Sequence, residues 1–297
     1  MNLTSPSQVK AWCIEHDFHP NKTLGQNFLV DRNVLEAIVE AGLDGVAPEE
    51  GVLEIGPGLG VMTEALLDTG RRVVAIEKDP VLAERLAQGA DALARRYAGL
   101  TVFAGDALDR RVLDDALGAI ASPHPQGPAL VSNLPYQAGT RIILELAQAR
   151  AVRQMTVLLQ TEVAERLSAP EGGRSRSLAG VWAQLDYDVE SVRKVSASCF
   201  WPRPEVGSTV VRLRRHGRND AFTEAERALF RRVTKMAFAH RRKMLSTVFK
   251  TVEPTLLGLA PGSPVRIRQD FATKRPEALS VDDWIALTKG VAGNEDA

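Results

Sequence analysis

Residues 54–60 read Glu54-Ile55-Gly56-Pro57-Gly58-Leu59-Gly60. The apolar run Val52–Ile55 before them reads as a short buried strand, and Val61–Leu67 after them as the start of a helix. Glycine permits a tight turn and close ligand approach with no Cβ in the way. A strand, a Gly-rich turn and a helix N-terminus form a nucleotide-type site at the carboxyl end of a sheet, where free N–H groups favour anionic groups.

The spacing narrows the ligand. A dinucleotide fingerprint reads G-x-G-x-x-G. Here the pattern is G-x-G-x-G, led by Glu54. This resembles the first motif of S-adenosylmethionine (SAM) methyltransferases. SAM carries an ammonium and a sulfonium and no phosphate, so an acid at the strand end suits it better than it suits a pyrophosphate. An NAD-type site and an ordinary αβ turn with spare glycines are the alternatives.

Outward from this stretch the elements alternate. Strands are expected at Val52–Ile55, Arg72–Ile76, Leu100–Phe103, Ala129–Ser132 and Met155–Leu159, with helices at Val61–Asp68, Pro80–Arg96, Arg110–Ile120 and Thr140–Gln148 between them. Such alternation predicts βαβ units and a mainly parallel sheet, an α/β Rossmann-like fold. Asp188–Val195 and Ser208–Leu213 are expected to add an antiparallel edge. Ala169–Ser177, rich in glycine and arginine, reads as a mobile loop, and Gly293–Ala297 as a disordered end. An arm with a short helix near Ser7–Glu15 precedes another helix at Asn33–Ala41. From Thr223 the pattern turns helical. Thr223 and Glu226 have the capping-box form, and helices are expected at Glu224–Ala239, Lys243–Thr251 and Val281–Lys289. The division expected is 1–215, arm and methyltransferase domain, and 216–297, a small all-α RNA-binding domain.

At 297 residues the chain can bury full cores in two domains. No apolar run approaches the ~20 residues a membrane span needs, and the first ten residues lack a signal-peptide core. Two cysteines, Cys13 and Cys199, make neither a disulfide framework nor a metal-ligand spacing. No membrane, no metal and a cytoplasmic location are the expectations. The formal net charge is zero, but its distribution is uneven. Asp31–Asp115 has nine Lys and Arg against seventeen Asp and Glu, a net of −8; Arg203–Lys250 has thirteen against four, a net of +9. That asymmetry points to one face for a polyanion, with a solvated helix surface as the alternative.

Four further motifs carry chemistry. Glu77 ends the second strand, where an acid accepts from ribose hydroxyls or is a surface acid. Asp106, in Gly105-Asp106-Ala107-Leu108, accepts from an adenine amino group or caps the next helix. Asn133-Leu134-Pro135-Tyr136 follows the fourth strand. Pro135 fixes the turn and removes an N–H, leaving the Asn133 oxygen and a main-chain carbonyl as acceptors and Tyr136 as a flat face. Such a tetrapeptide resembles that of enzymes methylating exocyclic amino groups. In Cys199-Phe200-Trp201-Pro202-Arg203-Pro204-Glu205-Val206, Phe200 is either a second stacking face for an extruded base or an apolar plug between strands. Arg241, Arg242 and Lys243, in Phe238–Lys243, suit phosphate contacts.

The ordered set KTLGQNFL, EIGPGLG, IEKD, GDAL, NLPY, FWPRPEV, FAHRRK and RPEALS spans Lys22 to Ser280. It resembles the bacterial small-subunit (16S) rRNA adenine N6,N6-dimethyltransferases, the KsgA family. The resemblance implies SAM as cofactor. It also implies dimethylation of N6 on two adjacent adenosines, in the hairpin loop near the 3′ end of 16S rRNA in an assembling small subunit. By matching motif, Asn27, Leu29, Gly56, Glu77, Asp106 and Asn133 would contact SAM, together with Glu54, Gly58 and Gly60. Asn133, Leu134, Pro135, Tyr136 and Phe200 would hold the adenine. A monomer is expected. The alternatives are a 23S rRNA adenine methyltransferase and a non-catalytic RNA-binding assembly or transcription factor.

Overall fold

The computed structural model describes residues 1–21, 24–92, 98–120 and 122–291. The expectations for Lys22 and Thr23, for the helix beyond Ala92 to Arg96, and for Gly293–Ala297 lie outside these residues. The chain divides into two compact units, Met1–Ala164 with Asp188–Arg215, and Glu165–Tyr187 with His216–Ala297.

The first unit opens with α1 (Pro6–Glu15), β1 (Phe28–Leu29) and α2 (Arg32–Leu43). Asp31 caps α2, its carboxylate accepting from the Val34 N–H at 3.0 Å. Then β2 (Val52–Ile55), α3 (Val61–Leu67), β3 (Val73–Glu77), α4 (Pro80–Ala92), β4 (Leu100–Ala104), α5 (Arg110–Ala119), β5 (Ala129–Asn133), α6 (Gly139–Ala149) and β6 (Gln154–Gln160) alternate as the pattern requires. Strands β2 and β3 are buried at every residue, as a parallel sheet covered on both faces demands.

After α7 (Thr161–Ser168) and α8 (Leu178–Gln184) come β7 (Tyr187–Val195), β8 (Phe200–Trp201) and β9 (Ser208–Arg215). The sheet order is β4-β3-β2-β5-β6-β9-β7. Neighbours from β4 to β6 are parallel, and β9 runs antiparallel to β6, pairing Val157 with Val211. The chain reverses spatial direction between β2 and β5, and that switch point opens a crevice at the strands' carboxyl ends. A separate two-stranded sheet pairs β1 with β8, Phe28 opposite Trp201 and Leu29 opposite Phe200. It joins two motifs far apart in sequence.

In the second unit, α9 (Glu224–Ala239) starts at the Thr223–Glu226 capping box, and α10 (Leu245–Phe249), α11 (Gln269–Ala272) and α12 (Val281–Val291) follow. Phe230, Val233, Phe249 and Trp284 form its core with Val181 and Leu185 of the earlier segment. The expected boundary at residue 215 therefore misses one feature: residues 165–187 fold with the C-terminal helices. Helix α8, seven residues capped by Ser177, was not expected from the sequence. The expected mobile loop at Ala169–Ser177 is instead tied down. Arg176 is 1% exposed and donates to the Ala169 carbonyl at 2.8 Å and to the Gln184 amide oxygen. Among described helices, none is long and apolar enough to cross a membrane.

Candidate active site

A cavity of about 270 Å³ lies at the carboxyl ends of β2, β3, β4 and β5. Every first-unit site residue expected from the sequence, Gly60 and Phe200 apart, lines it: Asn27, Leu29, Glu54, Gly56, Gly58, Glu77, Asp106, Asn133, Leu134, Pro135 and Tyr136. Gly60 does not line the cavity; it forms the N-cap of α3 at φ 90°. A Cβ there would come within 2.8 Å of the Leu86 side chain, so the turn admits only glycine. Gly58, at φ 60°, likewise faces the Phe28 ring at 3.1 Å from where a Cβ would stand.

Two buried acids flank this turn. Glu54 is 1% exposed and accepts from the Thr63 hydroxyl at 2.7 Å. Burial pushes its carboxyl up to about 8; the Thr63 hydrogen bond works against this and the neighbouring Glu77 charge adds to it. Glu77 accepts from the Gly58 N–H at 2.9 Å with one oxygen and from the Asp79 N–H at 2.8 Å with the other. Burial raises its carboxyl too, against those backbone hydrogen bonds. Each oxygen keeps a lone pair for a further donor. Thus Glu77 is not a solvated surface acid, and it fixes the glycine turn while facing the cavity.

Asp106 binds the Leu108 N–H at 2.9 Å and the Lys78 ammonium at 2.8 Å. Desolvation acts upward on it, but these bonds outweigh that and hold it below its ordinary value. It does not cap α5, because Asp109 does so through the Arg111 N–H. The cap alternative for Asp106 is therefore set aside.

At the end of β5 the Asn133 amide nitrogen donates to the Asn27 carbonyl at 3.0 Å. A carbonyl accepts only from a donor, so the Asn133 amide oxygen is the end left for a ligand. Asn27 in turn donates to the Gly25 carbonyl at 3.1 Å. The Tyr136 hydroxyl is held by the Ser208 hydroxyl of β9 at 2.7 Å, which anchors the tip of a half-buried ring. Gln26, which also lines the cavity, donates to Asp79 at 2.8 Å and accepts from the Asn21 N–H at 2.7 Å.

Phe200 departs from the stacking expectation. It is 3% exposed and packs with Leu29, Val34, Val195 and Val210, outside the cavity lining. Its ring plugs the junction of β1 and β8, the apolar alternative. Conversely, Leu3 and Val9 of the N-terminal arm line the cavity although neither lies in a motif. Their only signal is apolar spacing in a polar arm. Thr63, three residues past Gly60, was also missed as the partner of Glu54. In the second unit, Arg241 donates to the Arg174 carbonyl at 2.7 Å and pairs with Glu277 at 3.7 Å. Arg242 and Lys243 are exposed and carry no such bonds among the described residues.

The fold and cavity define a Rossmann-like, SAM-dependent methyltransferase. The glycine turn without a phosphate-type spacing, the buried acids and the Asn133 oxygen all fit that cofactor, whose ammonium, ribose hydroxyls and adenine amino group are donors. The chain belongs to the family described as ribosomal RNA adenine dimethylase, which matches residues 17–270. It is similar to a protein from Deinococcus radiodurans named ribosomal RNA small subunit methyltransferase A, 45% identical over 215 residues, 71% of this chain and 67% of the relative. A protein of the same name from Mycobacterium bovis is 36% identical over all of this chain and 91% of its own length. Among solved structures, a dimethyladenosine transferase from Plasmodium falciparum shares the fold with a TM-score of 0.69, at 24% identity over 89% of this chain and 97% of that one. The 23S rRNA methyltransferase ErmE gives a TM-score of 0.60 and 25% identity over 90% of this chain and all of that one. The protein is thus an rRNA adenine dimethyltransferase that uses SAM.

Proposed function

We propose that this enzyme dimethylates N6 of two adjacent adenosines in the 3′-terminal hairpin loop of 16S rRNA, acting as a cytoplasmic monomer on the assembling small subunit and needing no metal. The curated relatives, at 45% and 36% identity, are named for the small subunit, whereas the 23S enzyme stands at 25%. A non-catalytic role is disfavoured by a cavity that keeps Glu54, Glu77, Asp106 and Asn133 together.

The observation that carries the chemistry is the orientation of Asn133 by the Asn27 carbonyl. Adenine N6 is a poor nucleophile because its lone pair is delocalised into the ring. The Asn133 oxygen and the Leu134 carbonyl accept the two N6–H donors and draw the nitrogen toward a tetrahedral shape. The Tyr136 ring, its hydroxyl anchored by Ser208, stacks on the base. When bound, SAM supplies an electrophilic methyl group. Glu77 and Asp106 hold the ribose and adenine of that cofactor, while Glu54 and the turn Gly56–Gly60 shape the pocket beside its amino acid end; Asn27 and Leu29 close the other wall. Positioning and electrostatics carry the barrier reduction, and no strong base is required because the methylated N6 is cationic and loses its proton readily. Arg242 and Lys243 contact rRNA phosphates, with Arg241 holding their loop to the Ala169–Ser177 segment.

Incubation with SAM and under-methylated small subunits, followed by mapping of modified bases, tests this reading. Two adjacent dimethyladenosines near the 3′ end are expected. Modification confined to large-subunit RNA would overturn it.

A further inference from the structure

Arg141 belongs to no motif discussed above, yet it lines the cavity. Among the described lining residues the only cations are Lys78 and Arg141. Lys78 is spent on Asp106 at 2.8 Å. Arg141 is exposed and makes no hydrogen bond or ion pair of its own among the described residues. Its charge adds a weak pull on Asp106, and both residues line the same cavity.

Helix stability does not account for this residue. It is the third residue of α6, in the first turn. There the helix dipole favours an anion and disfavours a cation. The cofactor does not account for it either. By the assignment above, the Asp106 side takes the neutral adenine ring of SAM, whereas the cofactor's single carboxylate lies at the Glu54 end. A rule broken locally without a local gain points to function.

The missing partner is an anion that arrives with the substrate. An adenosine turned into this cavity brings a phosphodiester on each side of its ribose, at the rim rather than the floor. A guanidinium matches phosphate oxygens with two parallel N–H donors. We propose that Arg141 is a positioning residue that grips a phosphodiester flanking the target adenosine. This rests on the RNA substrate proposed above.

The test compares Arg141→Gln and Arg141→Lys with the wild type in three measurements: SAM affinity by calorimetry, kcat and KM for under-methylated small subunits, and the salt dependence of subunit binding. The proposal expects SAM affinity within twofold of wild type for both variants. Arg141→Gln raises KM for subunits about fivefold to tenfold, changes kcat less, and makes the log–log salt slope shallower by about one, the counterion release of one phosphate contact. Arg141→Lys recovers most of the loss. Weakened SAM binding would assign Arg141 to the cofactor, and unchanged KM and salt slope would leave it a solvated surface charge; either overturns the proposal alone. A wild-type enzyme that methylates no small subunit would overturn the substrate reading and this proposal together.

Discussion

The loops at the carboxyl end of the sheet and the C-terminal helical unit both bury polar groups, and they use them differently. In the helical unit Arg227 is 1% exposed and spends its donors on Asp186 at 2.6 Å, the Phe222 carbonyl at 3.0 Å and the Asn219 carbonyl at 2.5 Å. That network fixes shape. At the sheet end, Asn133, Glu77 and Asp106 are each held by a backbone or side-chain partner, yet each keeps an acceptor facing the cavity. Leftover hydrogen-bonding capacity, more than burial, separates the site from the scaffold.

The contrast can be broken first at Phe200, which sits with the scaffold despite its place in a motif. Phe200→Ala should cost about 3–5 kcal/mol of stability, the usual range for emptying an aromatic core position, read by denaturant unfolding. Phe200→Leu keeps apolar bulk and should lose less than about 1.5 kcal/mol, with single-turnover methylation close to wild type. A tenfold slower rate at a preserved melting temperature would return the ring to the base.

Glu54 sharpens it next. Its carboxyl, raised to about 8 in the folded protein, holds a proton that the unfolded chain releases near its ordinary value of 4.5. The folded state therefore binds more protons in between. The stability this group contributes is complete below pH ~4.5 and is lost as pH rises to ~8, a change on the order of a few kcal/mol. Glu54→Gln should flatten stability over that window, measured as unfolding free energy against pH without SAM. An unchanged slope would show that Glu54 is ionised in the resting fold.

Two smaller effects probe the ligand-facing groups of each region. Glu77→Ala should weaken SAM binding by about 1–3 kcal/mol, the cost of a lost buried hydrogen-bond partner; unchanged affinity by calorimetry in a folded variant would remove Glu77 from the site. Reversing Arg242 and Lys243 to Glu should weaken subunit binding on the order of tenfold at low salt and leave SAM binding intact, with a shallower salt slope. Wild-type subunit affinity in that double variant would remove the helical unit's basic loop from the RNA surface.

Much of this was legible in the sequence because the site is built from turns. Strand β2 and helix α9 fell at the expected residues, since a short apolar run closed by glycines and a capping box are local signals. Glu54, Glu77, Asp106 and Asn133 were legible for the same reason: each lies within two residues of a strand's carboxyl end, and parallel strands bring those ends together. What failed is what depends on packing across the chain. The direction of the Phe200 side chain is set by the β1–β8 pairing, which no local pattern records. Leu3 and Val9 reach the cavity only because the arm folds back over Leu59 and Leu82. The segment 165–187 reads as a continuation of the first unit, and only its burial against Phe230 and Trp284 assigns it to the second.

In the proposed reaction the Asn133 oxygen, its amide oriented by the Asn27 carbonyl, activates the adenine amino group. Asn133→Ala removes that acceptor. The direct measurement is single-turnover methylation of under-methylated small subunits by this variant, beside its melting temperature. A rate about 10²–10³ lower is expected, the usual cost of removing one preorganised transition-state partner, with the fold retained. A wild-type rate in the folded Ala variant would contradict it.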